Sequence, residues 1–149
     1  MATLNALDLT QRPPRSMRVR LGGFVILPRI LDKCRATLAG TQGAYRYASS
    51  LDQHFFRFTG IDATSLREIV ATGKGDGEIL EWILSQTQVQ PWDIMLWSQY
   101  HDQRGPDSDA ETREYFRAAL DQLSRTRKDI RTWADLLDLD DHVTFGGQS

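Results

Sequence analysis

The chain has 149 residues, 40% of them apolar and 26% charged, and a formal net charge of −2. That length suits one domain able to close a core without disulfides or metal. A net charge so near zero argues against a protein devoted to nucleic acid, and no apolar run approaches the roughly 20 residues of a membrane-spanning helix.

The charge is unevenly spread. Arg12, Arg15, Arg18, Arg20, Arg29, Lys33 and Arg35 face only Asp8 and Asp32 in the first 35 residues, whereas Asp135, Asp138, Asp140 and Asp141 stand near the C-terminus with no Lys or Arg after Arg131. The two ends are therefore expected to attract each other, within the chain or between subunits. Cys34 is the only cysteine, which fits a reducing compartment. With no signal-type apolar stretch at the N-terminus, a cytoplasmic protein is expected.

Residues 1–20 are polar around Pro13-Pro14, a pair that favours extended backbone. They are read as an irregular but ordered arm lying on the domain, its first few residues frayed. Gly22-Gly23 lets the chain bend into the densest apolar run. Phe24, Leu27, Leu31, Cys34 and Leu38 then recur at helical spacing, with Pro28 in the first turn and Gly40 as a left-handed stop. Cys34 on that stripe is expected to be buried and inert. Arg29, Asp32, Lys33 and Arg35 fall off the stripe and read as a solvated face with a few ion pairs.

Thr41–Ser50, with Tyr45 and Tyr47 in alternation, reads as a short isolated strand or an extended connection. Ser50 and Gln53 form a capping box for a helix over Leu51–Phe58, ended by Gly60. Asp62 caps Ala63–Thr72, Gly73 stops it, and Asp76 caps Gly77–Gln86. Pro91 opens a helix reaching about Asp102, and Gly105-Pro106 breaks the chain. Ser108 and Glu111 form a second capping box for Asp109–Lys128, whose buried face would be Tyr115, Phe116, Ala119, Leu120 and Leu123. A short helix near Thr132–Leu137 buries Trp133, and the tail after Asp141 is expected to be loose.

The linked motifs DLTxRPPRS, LGGFVILPRILDKCRA, LAGTxGAY and LDQHFFRFTGID, in that order, resemble a family of small bacterial single-domain proteins of unknown function. The resemblance runs from Asp8 to about Trp82. It implies a small bacterial cytoplasmic protein standing as its own chain, and it carries no activity and no catalytic residues.

Chemistry-bearing patterns are few. His54, His101 and His142 lack HExxH or any i, i+4 pairing, and His101-Asp102 has no third ligand in sequence, so no metal and no cofactor are expected. ATGKGDG at Ala71–Gly77 is glycine-rich but is not GxxxxGKS/T and follows no strand, so it reads as a turn between helices. Nucleophilic catalysis has no GxSxG elbow to rest on. His54 remains a candidate acid or base in a cleft, with Tyr45 and Tyr47 as candidate lining residues, set against a structural histidine among three phenylalanines. Of the four tryptophans, Trp97 lies off its helix's main stripe and is the candidate for a surface, cleft or dimer contact. Arg12, Arg15, Arg29 and Lys33 would converge if the arm folds over the central helix. Guanidinium groups there, near the N-terminus of the Pro28 helix, would suit an anion, unless the fold's own carboxylates take them.

These readings predict an all-α fold of six or seven helices around one core. The leading functional expectation is a binding or interaction protein with a basic groove for a small anionic ligand. The rival is an enzyme acting on a small anionic metabolite, with His54 as acid or base. A homodimer is left open, a membrane is not expected, and nucleic-acid binding through the arm ranks last.

Overall fold

The computed structural model describes residues 4–149. Among them are seven helices and no strand: α1 (Leu27–Ala39), α2 (Ser50–Thr59), α3 (Ala63–Val70), α4 (Asp76–Gln86), α5 (Pro91–Gln103), α6 (Ala110–Leu123) and α7 (Trp133–Thr144). The fold is all-α, and no helix is long and apolar enough to cross a membrane among the described residues.

The other elements gather around α1. Pro28 lies in its first turn, where a missing N–H has no intrahelical partner. Gly40 closes it at φ +74°, its N–H donating to the Ala36 and Thr37 carbonyls. Just before it, Ile26 sits at φ +73°, a region that costs a β-branched residue about 1–3 kcal/mol. Complete burial and hydrogen bonds from its N–H to Met17 and from the Ile30 N–H to its carbonyl hold it there.

The polar side of α1 is where the structure departs from expectation. Every residue from Leu27 to Ala36 is buried, including Arg29, Asp32, Lys33 and Arg35. Each of these four charges meets an opposite charge from a different part of the chain. Arg29 takes Asp141 of α7, with Nη1 to Oδ2 at 2.7 Å and Nη2 to Oδ1 at 3.2 Å. Lys33 takes Asp52 of α2, with Nζ 2.8 and 2.9 Å from its two oxygens. Asp32 accepts from Arg15 of the arm, and Arg35 donates to Asp76 at the start of α4 at 2.7 Å. The apolar stripe locates one buried side of a helix, but it cannot show that complementary charges elsewhere in the chain will bury the other.

Residues 4–20 lie along the domain without regular structure, and the expected fraying of the first few residues falls on residues 1–3, outside the described part. Leu9 and Met17 are buried, and the Leu9 N–H donates to the Thr41 carbonyl at 2.8 Å. Gly22, at φ +58°, turns the chain so tightly onto α4 that a Cβ there would stand 2.5 Å from a Leu80 methyl. Arg18 then reaches Asp135 and Asp138 of α7, so the two ends of the chain attract each other directly.

Several boundaries move. The α2 cap is Ser49 with Asp52, one residue earlier than Ser50 with Gln53, because Asp52 is also the partner that buried Lys33 requires. For α4 the cap position is Gly75, whose N–H donates to Glu78, while Asp76 is drawn to Arg15 and Arg35. Asp109, not Ser108, caps α6 by accepting from Thr112, and the helix ends at Leu123. Only Phe116 of α6 is buried, and Tyr115 is exposed. By contrast α7 continues through Asp141 to Thr144, since a Thr132–Asp135 capping box starts it and Asp141 is fixed by Arg29.

One hydrophobic cluster joins α1 to Phe55 and Phe56 of α2, Leu66 and Val70 of α3, Ile79 and Ile83 of α4, Ile94 of α5 and Ala134 of α7. Within it Phe24 meets Phe55 edge-on at 5.3 Å. Trp97 stacks on Phe58 at 4.8 Å and turns its edge to Phe24, so it packs against the core instead of lying at a surface. Trp92, one turn earlier on α5, is the exposed tryptophan.

Candidate functional site

The basic residues expected to form a groove are largely occupied by the fold. Arg15 spans two carboxylates, donating from Nε and Nη2 to Asp32 and from Nη1 to Asp76 at 2.8 Å. Arg29 and Lys33 are buried on Asp141 and Asp52. Arg12 is exposed, away from these pairs. A hollow of about 540 Å3 does border Arg15, Arg35 and Lys74, but Asp32 and Asp76 share its wall. Tyr45 and Tyr47 are committed too. The Tyr45 hydroxyl donates to Asp141 at 2.8 Å under a guanidinium 5.4 Å from its ring, and Tyr47 donates to the Ala63 carbonyl. Burial raises both phenol pKa values.

His54 lies elsewhere. Phe55 and Phe56 of α2 turn into the core, and His54, the residue before them, is half-buried on the wall of a cleft of about 800 Å3. The cleft lies against the C-terminal half of α5, the connection from α5 to α6, and Trp133 at the start of α7. His101 comes from the last turn of α5, its ring 4.9 Å from that of His54 and 4.6 Å from that of Trp97. Arg104 is the residue at which α5 ends. Its carbonyl accepts from the Trp133 N–H at 3.0 Å, which ties the connection to α7. Its Nη1 lies 3.1 Å from His54 Nε2, and its Cζ stands over the Trp133 ring at 5.9 Å.

The electrostatics follow from that packing. Burial, then the His54 ring, then Arg104 push the His101 pKa down to about 4. Burial, Arg104 and Arg57 lower that of His54. Both rings are therefore neutral at pH 7, and Arg104, charged, donates to a lone pair on His54. Among the described residues no carboxylate forms an ion pair with Arg104, although Asp107 borders the same cleft. Asp102, beside His101, is turned away to Arg20, with one carboxylate oxygen buried and unpartnered. Chemically, the cleft offers a guanidinium with donors to spare, two neutral imidazoles able to donate or accept a proton, and the Ser108 hydroxyl at its wall. No group of three or more metal-ligating side chains gathers among the described residues.

Of the residues singled out in the sequence, the structure brings His54 into this cleft and leaves Arg12, Arg15, Arg29, Lys33, Tyr45, Tyr47 and Trp97 outside its walls. It adds His101, Arg104 and Trp133. Nothing local in the sequence joins positions 54, 101 and 133. The one signal was Arg104 itself, a cation at a helix end just before the Gly105-Pro106 break, where a side chain is free to turn back.

The family model described as a domain of unknown function, DUF5069, matches residues 11–143, and the chain belongs to that family. The match extends beyond the motifs that carry the resemblance and takes in every residue of the cleft. No curated protein matches the sequence.

Proposed function

We propose, for this DUF5069 chain, that the cleft between α2, α5 and α7 binds a small anion with Arg104 as its charge partner. The observation that carries the reading is a contrast. Arg15, Arg29, Lys33 and Arg35 each hold an internal carboxylate, whereas Arg104 faces the cleft with only a neutral imidazole and an aromatic ring. A half-buried guanidinium without a counter-charge has lost hydration that an incoming carboxylate or phosphate restores through charge-assisted bonds. His54 and His101 supply neutral N–H donors, and Asp107 disfavours ligands of high negative charge.

Calorimetric titration with inorganic phosphate and with acetate tests this. One of the two anions should bind, Arg104→Ala should weaken it by roughly tenfold or more, and Asp107→Asn should tighten it. Equal affinity in wild type and Arg104→Ala, or no binding at millimolar anion, would sink the proposal. A second reading, acid–base catalysis on the bound anion, rests on His54 being a neutral imidazole at pH 7 on the wall of the cleft. It predicts turnover of an anionic ester that His54→Gln abolishes while anion affinity is kept.

A further inference from the structure

We propose that two copies of this chain pair antiparallel through the outer face of α5, about a two-fold axis at Leu96. Seven large apolar side chains are exposed among the described residues, and four of them (Trp92, Met95, Leu96 and Tyr100) stand on this one helix. Trp92, Leu96 and Tyr100 are spaced by four, so they form a single stripe. They are 65%, 51% and 61% exposed, while Ile94, Ser98 and His101 hold the opposite side of the helix in the protein. Leu84 at the end of α4 extends the patch beside Met95, across a shallow hollow of about 250 Å3. Together these side chains expose roughly 500–600 Å2, at the top of the range for a soluble monomer and most of the ~800 Å2 per side of a stable interface.

The stripe is also its own complement. Turning a second copy about Leu96 sets Leu96 on the partner's Leu96 and Trp92 on the partner's Tyr100. Gln99 and Gln103 flank the stripe, and no charge lies on it, so two copies meet without like-charge repulsion. Of the acidic residues at its edges, Asp93 comes opposite the partner's Gln99, an amide able to donate to it. Asp102 is already neutralised by Arg20. Leu96 and Tyr100 line the cleft as well, so the partner's Trp92 would stand on Tyr100 at the cleft's edge and narrow its mouth. Each site would then be completed by the other copy. The pairing itself does not depend on what the cleft binds.

Sedimentation equilibrium on the full chain, from 1 to 100 μM, reads the association. Wild type should sediment at twice the chain mass, and Leu96→Glu should be monomeric, with the dimer weakened at least about 100-fold and the circular dichroism of the fold retained. A wild type that is monomeric throughout, or a Leu96→Glu dimer of unchanged affinity, overturns the proposal. Orientation is read by mild oxidation in a Cys34→Ser background. Leu96→Cys should give a disulfide-linked dimer. Trp92→Cys alone should not, because antiparallel pairing holds the two position-92 residues about 12 Å apart along the helices. Cross-linking at 92 and not at 96 would likewise overturn it.

Discussion

Replacing Lys33 by methionine removes one half of a pair in which the cation is 3% exposed and the carboxylate fully buried. The Asp52 carboxylate would keep only the Ser49 backbone N–H, which donates to its Oδ2. Leaving a buried charge without its counter-ion costs about 3–5 kcal/mol, a large part of the 5–15 kcal/mol that holds a typical domain together. With a urea dependence near 2 kcal/mol/M, the unfolding midpoint of Lys33→Met should fall by about 2 M. The reverse variant, Asp52→Asn, behaves differently, because lysine can escape by losing its proton. Burial already lowers the Lys33 pKa in the fold, and Asp52 is the largest influence holding it up. In Asp52→Asn it drops further. The unfolded chain then binds the proton over a wider range below 10.5, and stability rises with pH across that range. Asp52→Asn should therefore be less damaging at pH 9 than at pH 6, the opposite of Lys33→Met, whose stranded carboxylate is relieved only by taking up a proton as pH falls. The double variant Lys33→Met/Asp52→Asn has neither charge and keeps an amide at the α2 cap. It should lie within about 1 kcal/mol of wild type, giving a coupling of about 3 kcal/mol in a double-mutant cycle. Urea titrations of the four proteins at both pH values check this. Additive losses, or single variants that each lose under 1 kcal/mol, would refute the reasoning.

The His101 pKa falls from 6.5 to about 4 on folding, so the unfolded chain takes up the proton first, and the stability His101 contributes is intact above 6.5 and lost as pH falls toward 4. The full loss is about 3 kcal/mol or slightly more, and a His101→Gln protein should show a flatter urea midpoint between pH 6.5 and 5; an unchanged slope would contradict the neutral-imidazole account. Gly22→Ala places a Cβ against Leu80 at a positive φ, and should lower stability by more than the ordinary 1 kcal/mol of a left-handed glycine, read by thermal unfolding. Asp141→Asn strips the counter-charge from Arg29 and weakens the acceptor of the Tyr45 hydroxyl. It should cost about 3 kcal/mol or more, whereas Asp140→Asn, one residue away and exposed, should cost under 0.5 kcal/mol.

Helix starts and stops were legible wherever one residue type is nearly compulsory. Pro28 and Pro91 open α1 and α5, and Gly40 and Gly60 close α1 and α2 at φ +74°. The frame of the α2 cap was not legible from local sequence, since Ser49–Asp52 and Ser50–Gln53 are both chemically sound, and only the burial of Lys33 discriminates between them. The same limit explains α1. Its apolar spacing fixed one face, but the fate of Arg29, Asp32, Lys33 and Arg35 depended on Arg15, Asp52, Asp76 and Asp141, which no window centred on α1 contains. That Trp97 packs inward and Trp92 stands outward was not legible, because α5 is apolar nearly all round and periodicity cannot say which side faces inward. For the cleft, the sequence marked His54 as a chemical residue and Gly105-Pro106 as a turn. Only the packing of α5 against α2 brings Arg104 and His101 to it.

The counter-charges of α1 also impose a schedule on the making of the protein. Translation produces Arg29 early and its carboxylate 112 residues later, after Lys33 has waited 19 residues for Asp52 and Arg35 has waited 41 for Asp76. A nascent chain that shut around α1 before then would seal an ionised guanidinium away from water with nothing to neutralise it. The central helix must stay accessible while the ribosome is still at work, and the last closure waits for α7. Of these counter-charges Asp141 is the last to be made, and a chain cut before it would leave Arg29 without its carboxylate.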